Sequence, residues 1–236
     1  ERDFLARQYD LGLAWVQFPE GWGGLGVSPK LNNNVLARLA RAGGPIGGMK
    51  NPIGYGMCGP AIEVHGTDEQ KAMLRPLFTN EHIWCQLFSE PGAGSDVASL
   101  ACKAERDGDE WVLNGQKVWT TLAHLSDYGV LIARTNPEAP KHAGISMFIV
   151  DMKDPAVEIR AIHQIDGGKH FNEVFFSDLR IPKSWLLGEL NNGWNQATAM
   201  LMYERVAIGT RLRALILFFT VHRLMISADG LGHSAG

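Results

Sequence analysis

The sequence predicts an α+β protein with helices at both ends and a β domain between them. Residues 1–82 carry apolar residues at helical spacing, residues 83–189 carry short β-prone runs separated by turn clusters, and the helical period returns from Gly193. Short strands at this density are typical of a sandwich or barrel. We therefore predict an N-terminal helical domain (1–82), a middle β-barrel or sandwich (83–189) and the start of a C-terminal helical bundle (190–236).

Two helices are predicted in the N-terminal region. Residues 31–42 and 68–78 have helical apolar spacing, and the Gly/Pro-rich stretch 43–60 separates them. Small residues in this stretch either line a roomy pocket or form a plain loop. Thr67 is the predicted N-cap of the second helix, because two acidic residues follow it in the first turn.

The β domain is predicted from short runs rich in β-branched and aromatic residues. These runs are 101–106, 110–114, 118–121, 129–134, 146–151, 157–162 and 173–176. Asn114-Gly115 follows the second run, and Asn-Gly is a strong signal for a tight hairpin turn. We therefore expect a hairpin between the second and third runs.

Composition excludes several classes of protein. The 236 residues are 45% hydrophobic and 20% charged, which is ordinary globular usage. A net charge of −3 with mixed signs gives no basic stripe for nucleic acid, and the longest apolar run, 214–219, is far too short to span a membrane. The odd set Cys58, Cys85 and Cys102 predicts free thiols in a reducing compartment, so we expect a cytoplasmic protein. No metal site is predicted, since the histidines lack partners at metal-ligand spacing.

A compact turn is the most informative stretch of the chain. It reads Gln86-Leu87-Phe88-Ser89-Glu90-Pro91-Gly92-Ala93-Gly94-Ser95-Asp96. Pro91 stiffens its entry, and Gly92 and Gly94 are expected to take positive φ and to let a ligand approach the backbone. Consecutive N–H groups of this kind form a concave nest that suits a pyrophosphate. On the glycines alone, an ordinary surface turn is the alternative.

A second stretch, 114–121, places an indole and a hydroxyl two residues apart. In a strand, Trp119 and Thr121 share a face and Thr120 points to the other. An indole can cover one side of a flat heteroaromatic ring while a hydroxyl bonds its edge. Considered alone, a Trp in a strand is more often a core residue.

Together these segments resemble the acyl-CoA dehydrogenase family. Further matching pieces are PEGWGGLG at 19–26, HGTDEQK at 65–71, NEVFF at 172–176, and Glu204-Arg205. The resemblance runs from at least Gly21 to Gly209, and the order and spacing of its pieces are specific. Relative to the family, the chain lacks the first part of the N-terminal helical region and most of the C-terminal helical domain, and a targeting peptide is among the segments that it could have lost.

The resemblance implies an FAD site. In the family, the middle β domain holds FAD with its isoalloxazine ring against the C-terminal helices. By motif position, Gln86, Phe88 and Ser89 lie on the strand along the flavin, and Gly94 and Ser95 reach the pyrophosphate or the CoA phosphates. Trp119, Thr120 and Thr121 lie at the ring, with Thr121 near N5.

The resemblance also implies the reaction and the partners. The family converts an acyl-CoA to a trans-2-enoyl-CoA, passes the electrons to an electron-transfer flavoprotein, and forms homotetramers or heteromers. Two alternatives are open. One is a flavin monooxygenase or nitroalkane oxidase on the same fold, and the other is a catalytically silent subunit of a heteromer. Acyl chain length, branching and steroid character are not predicted.

The reaction needs a base for the α-proton, and Glu204 is the candidate. Trp194, Ala197, Leu201 and Glu204 fall on one apolar stripe of the predicted helix, where an unpaired carboxyl has a raised pKa. Glu204 also matches one of the two base positions that the family uses. The alternatives are a structural ion pair with Arg205, or a base in the missing C-terminal domain. Arg205 matches a family position near the thioester, so it and Ser95 are the implied substrate contacts.

Overall fold

A computed structural model describes residues 1–45, 48 and 50–203 and confirms the α+β class. The helical region holds α1 (Arg2–Asp10), α2 (Asn32–Arg41), α3 (Gly59–His65), α4 (Asp68–Lys71) and α5 (Leu74–Phe78). Residues 193–203 form the helix predicted from Gly193, as far as the structure describes it. No helix in these described ranges is long and apolar enough to cross a membrane.

The predicted helix at 68–78 is two short helices. Thr67 is the N-cap of α4, as predicted, and forms a capping box with Gln70, in which each side chain accepts the other residue's backbone N–H. The helix then breaks before α5 because Pro76 has no N–H and its ring excludes a continuous helix. Placing Pro76 within the first turn of a new helix avoids that conflict.

The stretch 43–60 is not a simple separating loop, because its second half is helical. A π-helical turn, Gly54–Cys58, continues directly into α3. A Cβ on Gly54 would collide with the Asn51 side chain, which explains that glycine, and one on Gly59 would crowd the Trp15 ring at 3.0 Å. The side-chain amide of Asn51 has hydrogen-bond partners at both ends, because its Nδ2 donates to two backbone carbonyls and its Oδ1 accepts the N–H of Trp84.

One eight-stranded sheet forms the β domain, and each predicted run overlaps one of its strands. Its strands are β1 (Trp84–Leu87), β2 (Lys103–Asp107), β3 (Glu110–Thr121), β4 (Tyr128–Arg134), β5 (Ile145–Asp151), β6 (Val157–Ile162), β7 (Phe171–Pro182) and β8 (Leu186–Leu187). The order is β6-β7-β3-β2-β4-β5-β8, with β1 parallel to β4. The strands β1 and β8 were not among the predicted runs.

The predicted hairpin at Asn114-Gly115 is wrong. These residues lie inside the continuous strand β3, opposite an irregularity in which β7 holds one extra residue. Asn114 and Asp178 exchange two hydrogen bonds of 2.9 Å, which explains the Asn. Gly115 has φ +150°, and a Cβ there would lie 2.7 Å from Cys102 Cα, which explains the glycine. A bulge and a hairpin turn favour the same residue types.

Two hydrophobic cores share the strands β4 and β5. Val130 and Ile132 point into the first core, with the helices, whereas Leu131 and Ala133 point into the second, inside the β domain. Alternate residues of β5 divide in the same way. The helical region therefore packs directly on the outer face of the sheet.

We predict that the cysteines are unreactive in the folded protein. Cys58, Cys85 and Cys102 are free and buried. Burial raises the pKa of Cys85 to about 12, that of Cys102 to about 11, and that of Cys58 well above its ordinary value. At about pH 8 all three are neutral thiols, which are poor nucleophiles. Iodoacetamide followed by peptide mass spectrometry should label them only after unfolding, and label on any of the three in native protein would contradict this.

Candidate functional site

A shallow cleft of about 70 Å³ opens where β1 meets the end of β3. Its lining residues are Ile53, Gln86, Phe88, Ser89, Val118, Trp119 and Thr121. The structure thus brings together the two stretches that the sequence singled out, although they are about thirty residues apart in the chain. Ile53 and Val118 were missed.

The first wall is β1 and the residues that follow it. Gln86 and Phe88 point to the same side because strand residues alternate, and Ser89 turns into the cleft at the end of the strand. The parallel pairing of β1 with β4 fixes this wall, since Gln86 lies opposite Val130 in the first core.

The second wall is a β-bulge in β3. Lys117 pairs with Val174 and Thr120 with Asn172, so Val118 and Trp119 together lie opposite one residue of β7. Trp119 has φ +59°, an uncommon conformation for a bulky residue, and the residue is 59% exposed. The bulge therefore places both of its residues in the cleft, which explains why alternation alone did not identify Val118.

Thr121 lines the cleft beside Trp119, and Thr120 does not. Thr120 is 2% exposed and points into the protein, where its Oγ1 has no hydrogen-bond partner among the described residues. The expected shared face of Trp119 and Thr121 is thus observed. Phe171 meets the edge of the indole, with ring centroids 6.1 Å apart, and steadies it at the rim.

The polar side chains of the cleft are free to bind a ligand. Within the described part of the chain, the side chains of Gln86, Ser89 and Thr121 make no hydrogen bond to protein, although each lines the cleft. Together with Trp119 they offer an aromatic surface and polar groups at its edge. This arrangement suits a flat heteroaromatic ring.

The turn after β1 leaves its backbone open. Glu90 and Ala93 exchange two backbone hydrogen bonds of 3.0 Å, which close the turn. Gly92 and Gly94 do not take positive φ, so that expectation is wrong. A Cβ on either glycine would meet nothing within 4 Å, so both face open space, and Ser95 is exposed. The glycines thus leave room for a ligand at the backbone and serve no special turn geometry.

An exposed ion pair lies at the far end of this turn. Lys141 Nζ lies 2.8 Å from Asp96 Oδ2, and this contact lowers the pKa of the carboxyl below its usual value. Gly94 and Ser95 lie outside the cleft lining, next to it in the chain. Glu204 and Arg205 lie outside the described residues, so the predicted base and substrate contact have no observed position here.

Two protein-family models match the chain. The N-terminal domain of acyl-CoA dehydrogenase matches residues 1–81, and the middle domain of acyl-CoA dehydrogenase matches residues 85–179. Together the matches cover well over half of the chain. The chain belongs to the acyl-CoA dehydrogenase family. The cleft lies in the middle-domain match, except for Ile53, which the N-terminal domain contributes.

Similar proteins extend this result. Acyl-CoA dehydrogenase FadE34 of Mycobacterium tuberculosis (strain ATCC 25618 / H37Rv) is 44% identical over 205 residues, which cover 85% of this chain and 28% of FadE34. A solved structure described as Tcur3481-Tcur3483 steroid ACAD aligns with a TM-score of 0.76 at 32% identity, over 99% of this chain and 60% of that chain. The ChsE4-ChsE5 complex from Mycobacterium tuberculosis aligns with a TM-score of 0.68 at 35% identity, over 86% of this chain and 51% of that chain. The chain thus spans less than two thirds of each of these proteins.

Membership of the family implies FAD, and the residues present fit it. The polar side chains of Gln86, Ser89 and Thr121, which have no hydrogen-bond partner among the described residues, suit the edge of an isoalloxazine ring, and the Trp119 indole suits its face. The open space at Gly92 and Gly94 suits a phosphate held by backbone N–H groups.

We predict that substitutions in the cleft weaken flavin binding and that a matched substitution behind it does not. Trp119→Ala removes the ring cover, and Thr121→Val removes one hydrogen bond, which costs about 1 kcal/mol or roughly fivefold in Kd. Thr120→Val is the control, since its hydroxyl faces inward and is unpaired. FAD titration followed by flavin fluorescence should separate the first two variants from the third, and equal Kd values for all three would count against this placement.

Proposed function

We propose that the chain forms the N-terminal and middle parts of an FAD-dependent acyl-CoA dehydrogenase. Its reaction converts an acyl-CoA to the trans-2-enoyl-CoA and delivers the electrons to an electron-transfer flavoprotein. The observation that carries the proposal is the cleft, in which an exposed indole and three uncommitted polar side chains meet beside an open glycine turn.

Several residues have proposed roles toward FAD. When bound, FAD supplies the acceptor for the hydride that leaves the β-carbon. Trp119 covers one side of the ring, and Ser89 and Thr121 offer hydrogen bonds to its edge. Gly94 leaves the backbone accessible to phosphate, and Ser95 donates to the FAD or CoA phosphates.

The cleft formed by the described residues is smaller than a complete cofactor site. Ligand pockets for molecules of this kind usually enclose roughly 300 to 1,000 Å³, whereas this cleft holds about 70 Å³. The described residues thus form only part of the site. We propose that the rest comes from the chain beyond residue 203 or from another subunit, in a homotetramer or heteromer.

A catalytically silent subunit is the second candidate. Two similar solved structures are described by paired names, Tcur3481-Tcur3483 and ChsE4-ChsE5, and the second is described as a complex. In such an assembly one chain completes a half-site without supplying the base.

The proposed location of the protein is the cytoplasm.

The family suggests an acyl-CoA substrate, and the similar solved structures suggest which acyl group to test first. We place a steroid side-chain acyl-CoA first among the substrates to test, because one similar structure is described as a steroid ACAD. Straight and branched acyl-CoAs complete the panel. Ser95 and Arg205 are the proposed contacts to the substrate.

The proposed α-proton base is Glu204. In the described residues just before it, Ala197 is fully buried and Trp194 and Leu201 pack against the first core. These residues share the apolar stripe on which the sequence places Glu204, so the stripe faces the protein. A carboxyl on such a stripe suits proton abstraction near neutral pH.

We predict that the full-length protein, purified with any subunit it needs, retains FAD and is bleached by its substrate. Acyl-CoAs added without oxygen should remove the visible absorbance of oxidised flavin, and one chemical class should act fastest. Bound flavin that no acyl-CoA reduces would favour the silent subunit. A protein without flavin would contradict the proposed function.

We predict that Glu204→Gln slows flavin reduction by roughly 10² to 10⁴, the usual contribution of a general base. Gln keeps the size of the side chain but does not accept the proton, so FAD and acyl-CoA should still bind. Anaerobic stopped-flow absorbance measures the rate, and Glu158→Gln, at an exposed carboxylate of β6 outside the cleft, is the matched control for loss of a carboxylate. A normal rate in Glu204→Gln would place the base elsewhere.

A further inference from the structure

A buried ion pair lies beneath the cleft, between Lys117 on β3 and Glu90 in the turn. Lys117 Nζ lies 2.7 Å from Glu90 Oε1, and the two side chains are 0% and 6% exposed. The ammonium also donates to the carbonyl of Phe88 at 3.1 Å. The carboxylate accepts the backbone N–H groups of Ala101 at 2.6 Å and Cys102 at 3.0 Å. Both charges therefore have direct partners inside the protein.

Stability alone is a weak reason for such a pair. Removing two charges from water costs about as much as their attraction returns, and a well-packed apolar pair often stabilises a protein equally well. An apolar pair, however, does not hold neighbouring polar groups in fixed positions. The ammonium of Lys117 holds one carboxylate and one carbonyl at fixed positions, so the pair is better explained by what it orients.

The pair joins both walls of the cleft. Phe88, which accepts from Lys117, belongs to the first wall together with Ser89. Lys117 immediately precedes the bulge that carries Val118 and Trp119 in the second wall. The N–H of Val118 donates to the carbonyl of Ser89 at 2.9 Å, so the two walls are also tied directly.

The bulge next to Lys117 sets the direction of Trp119. In a regular strand residues 117 and 119 share a face, and burying Lys117 would bury the indole. The bulge separates them, since Lys117 is fully buried while Trp119 is largely exposed. Beyond the bulge, Asn172 Nδ2 donates to the carbonyl of Thr120 at 3.0 Å. The left-handed Trp119 is thus held between two buried polar contacts.

We propose that Lys117 and Glu90 are positioning residues for the cleft. Their ion pair anchors β3 in the arrangement in which Trp119 and Thr121 face Ser89. The link to FAD rests on the proposed function, whereas the effect on Trp119 does not. A one-residue slip of β3 would exchange the two faces of the strand and remove the indole from the cleft.

The test is the double variant Lys117→Met/Glu90→Gln in the full-length protein. It removes both charges and nearly preserves side-chain size, so no unpaired buried charge remains. Tryptophan is replaced by 5-fluorotryptophan, and Trp119→Phe identifies the Trp119 signal in the ¹⁹F NMR spectrum. We expect that signal to move or broaden in flavin-free protein, and the Kd of FAD to rise about tenfold through misplaced ring contacts.

An exposed ion pair of the same sheet provides the control. Arg180 and Asp107 lie 2.8 Å apart with side chains 53% and 60% exposed, so Arg180→Met/Asp107→Asn should leave the signal unchanged. Lys117→Met alone, in which the Glu90 carboxylate keeps its two backbone N–H partners, is the second variant should the double variant fail to fold. An unmoved Trp119 signal in either folded variant, or an equal change in the control, would overturn the proposal. Absence of FAD from the wild type would overturn only the proposed function.

Discussion

The burial of β4 and β5 on both faces is the constraint on which the rest of the structure depends. Along each of these strands, alternate side chains fill the core shared with the helices, and the side chains between them fill the core inside the β domain. Because β1 pairs with β4, this arrangement also places Gln86 and Ser89 at a fixed distance from β3. The cleft is therefore a consequence of how two cores share one pair of strands. A change of register in β4 would disturb both cores at once.

Local signals predicted much of the fold. The capping residue Thr67 and the β-prone runs depend on near neighbours in the chain, and each was found where the sequence placed it. Asn114-Gly115 was misinterpreted because its residue types favour a hairpin and a bulge alike, and only the distant Asp178 decides between them. The break before α5 was also missed, although Pro76 provided a local signal for it.

The candidate site was predictable where sequence motif and strand alternation agree. Gln86, Phe88, Ser89, Trp119 and Thr121 all line one cleft. Ile53 was not identified because it comes from a different region of the chain, and Lys117 because a lysine in a strand normally faces solvent. Its burial depends on a carboxylate that is distant in sequence. Long-range polar pairing of this kind leaves no periodic signal.

The two irregularities between β3 and β7 cancel each other. One extra residue in β7 near Asp178 is followed by one extra residue in β3 at Val118–Trp119, so both ends of the ladder keep a common register and only Gly115–Lys117 is offset. Correct pairing at both ends of the two strands therefore depends on both irregularities. Losing a residue at one irregularity would displace everything beyond it, whereas losing one at each would restore an unbroken ladder. Insertions and deletions here are thus tolerated structurally only in pairs, and a paired loss would leave a well-formed sheet in which one residue, instead of both Val118 and Trp119, faces the cleft at this point.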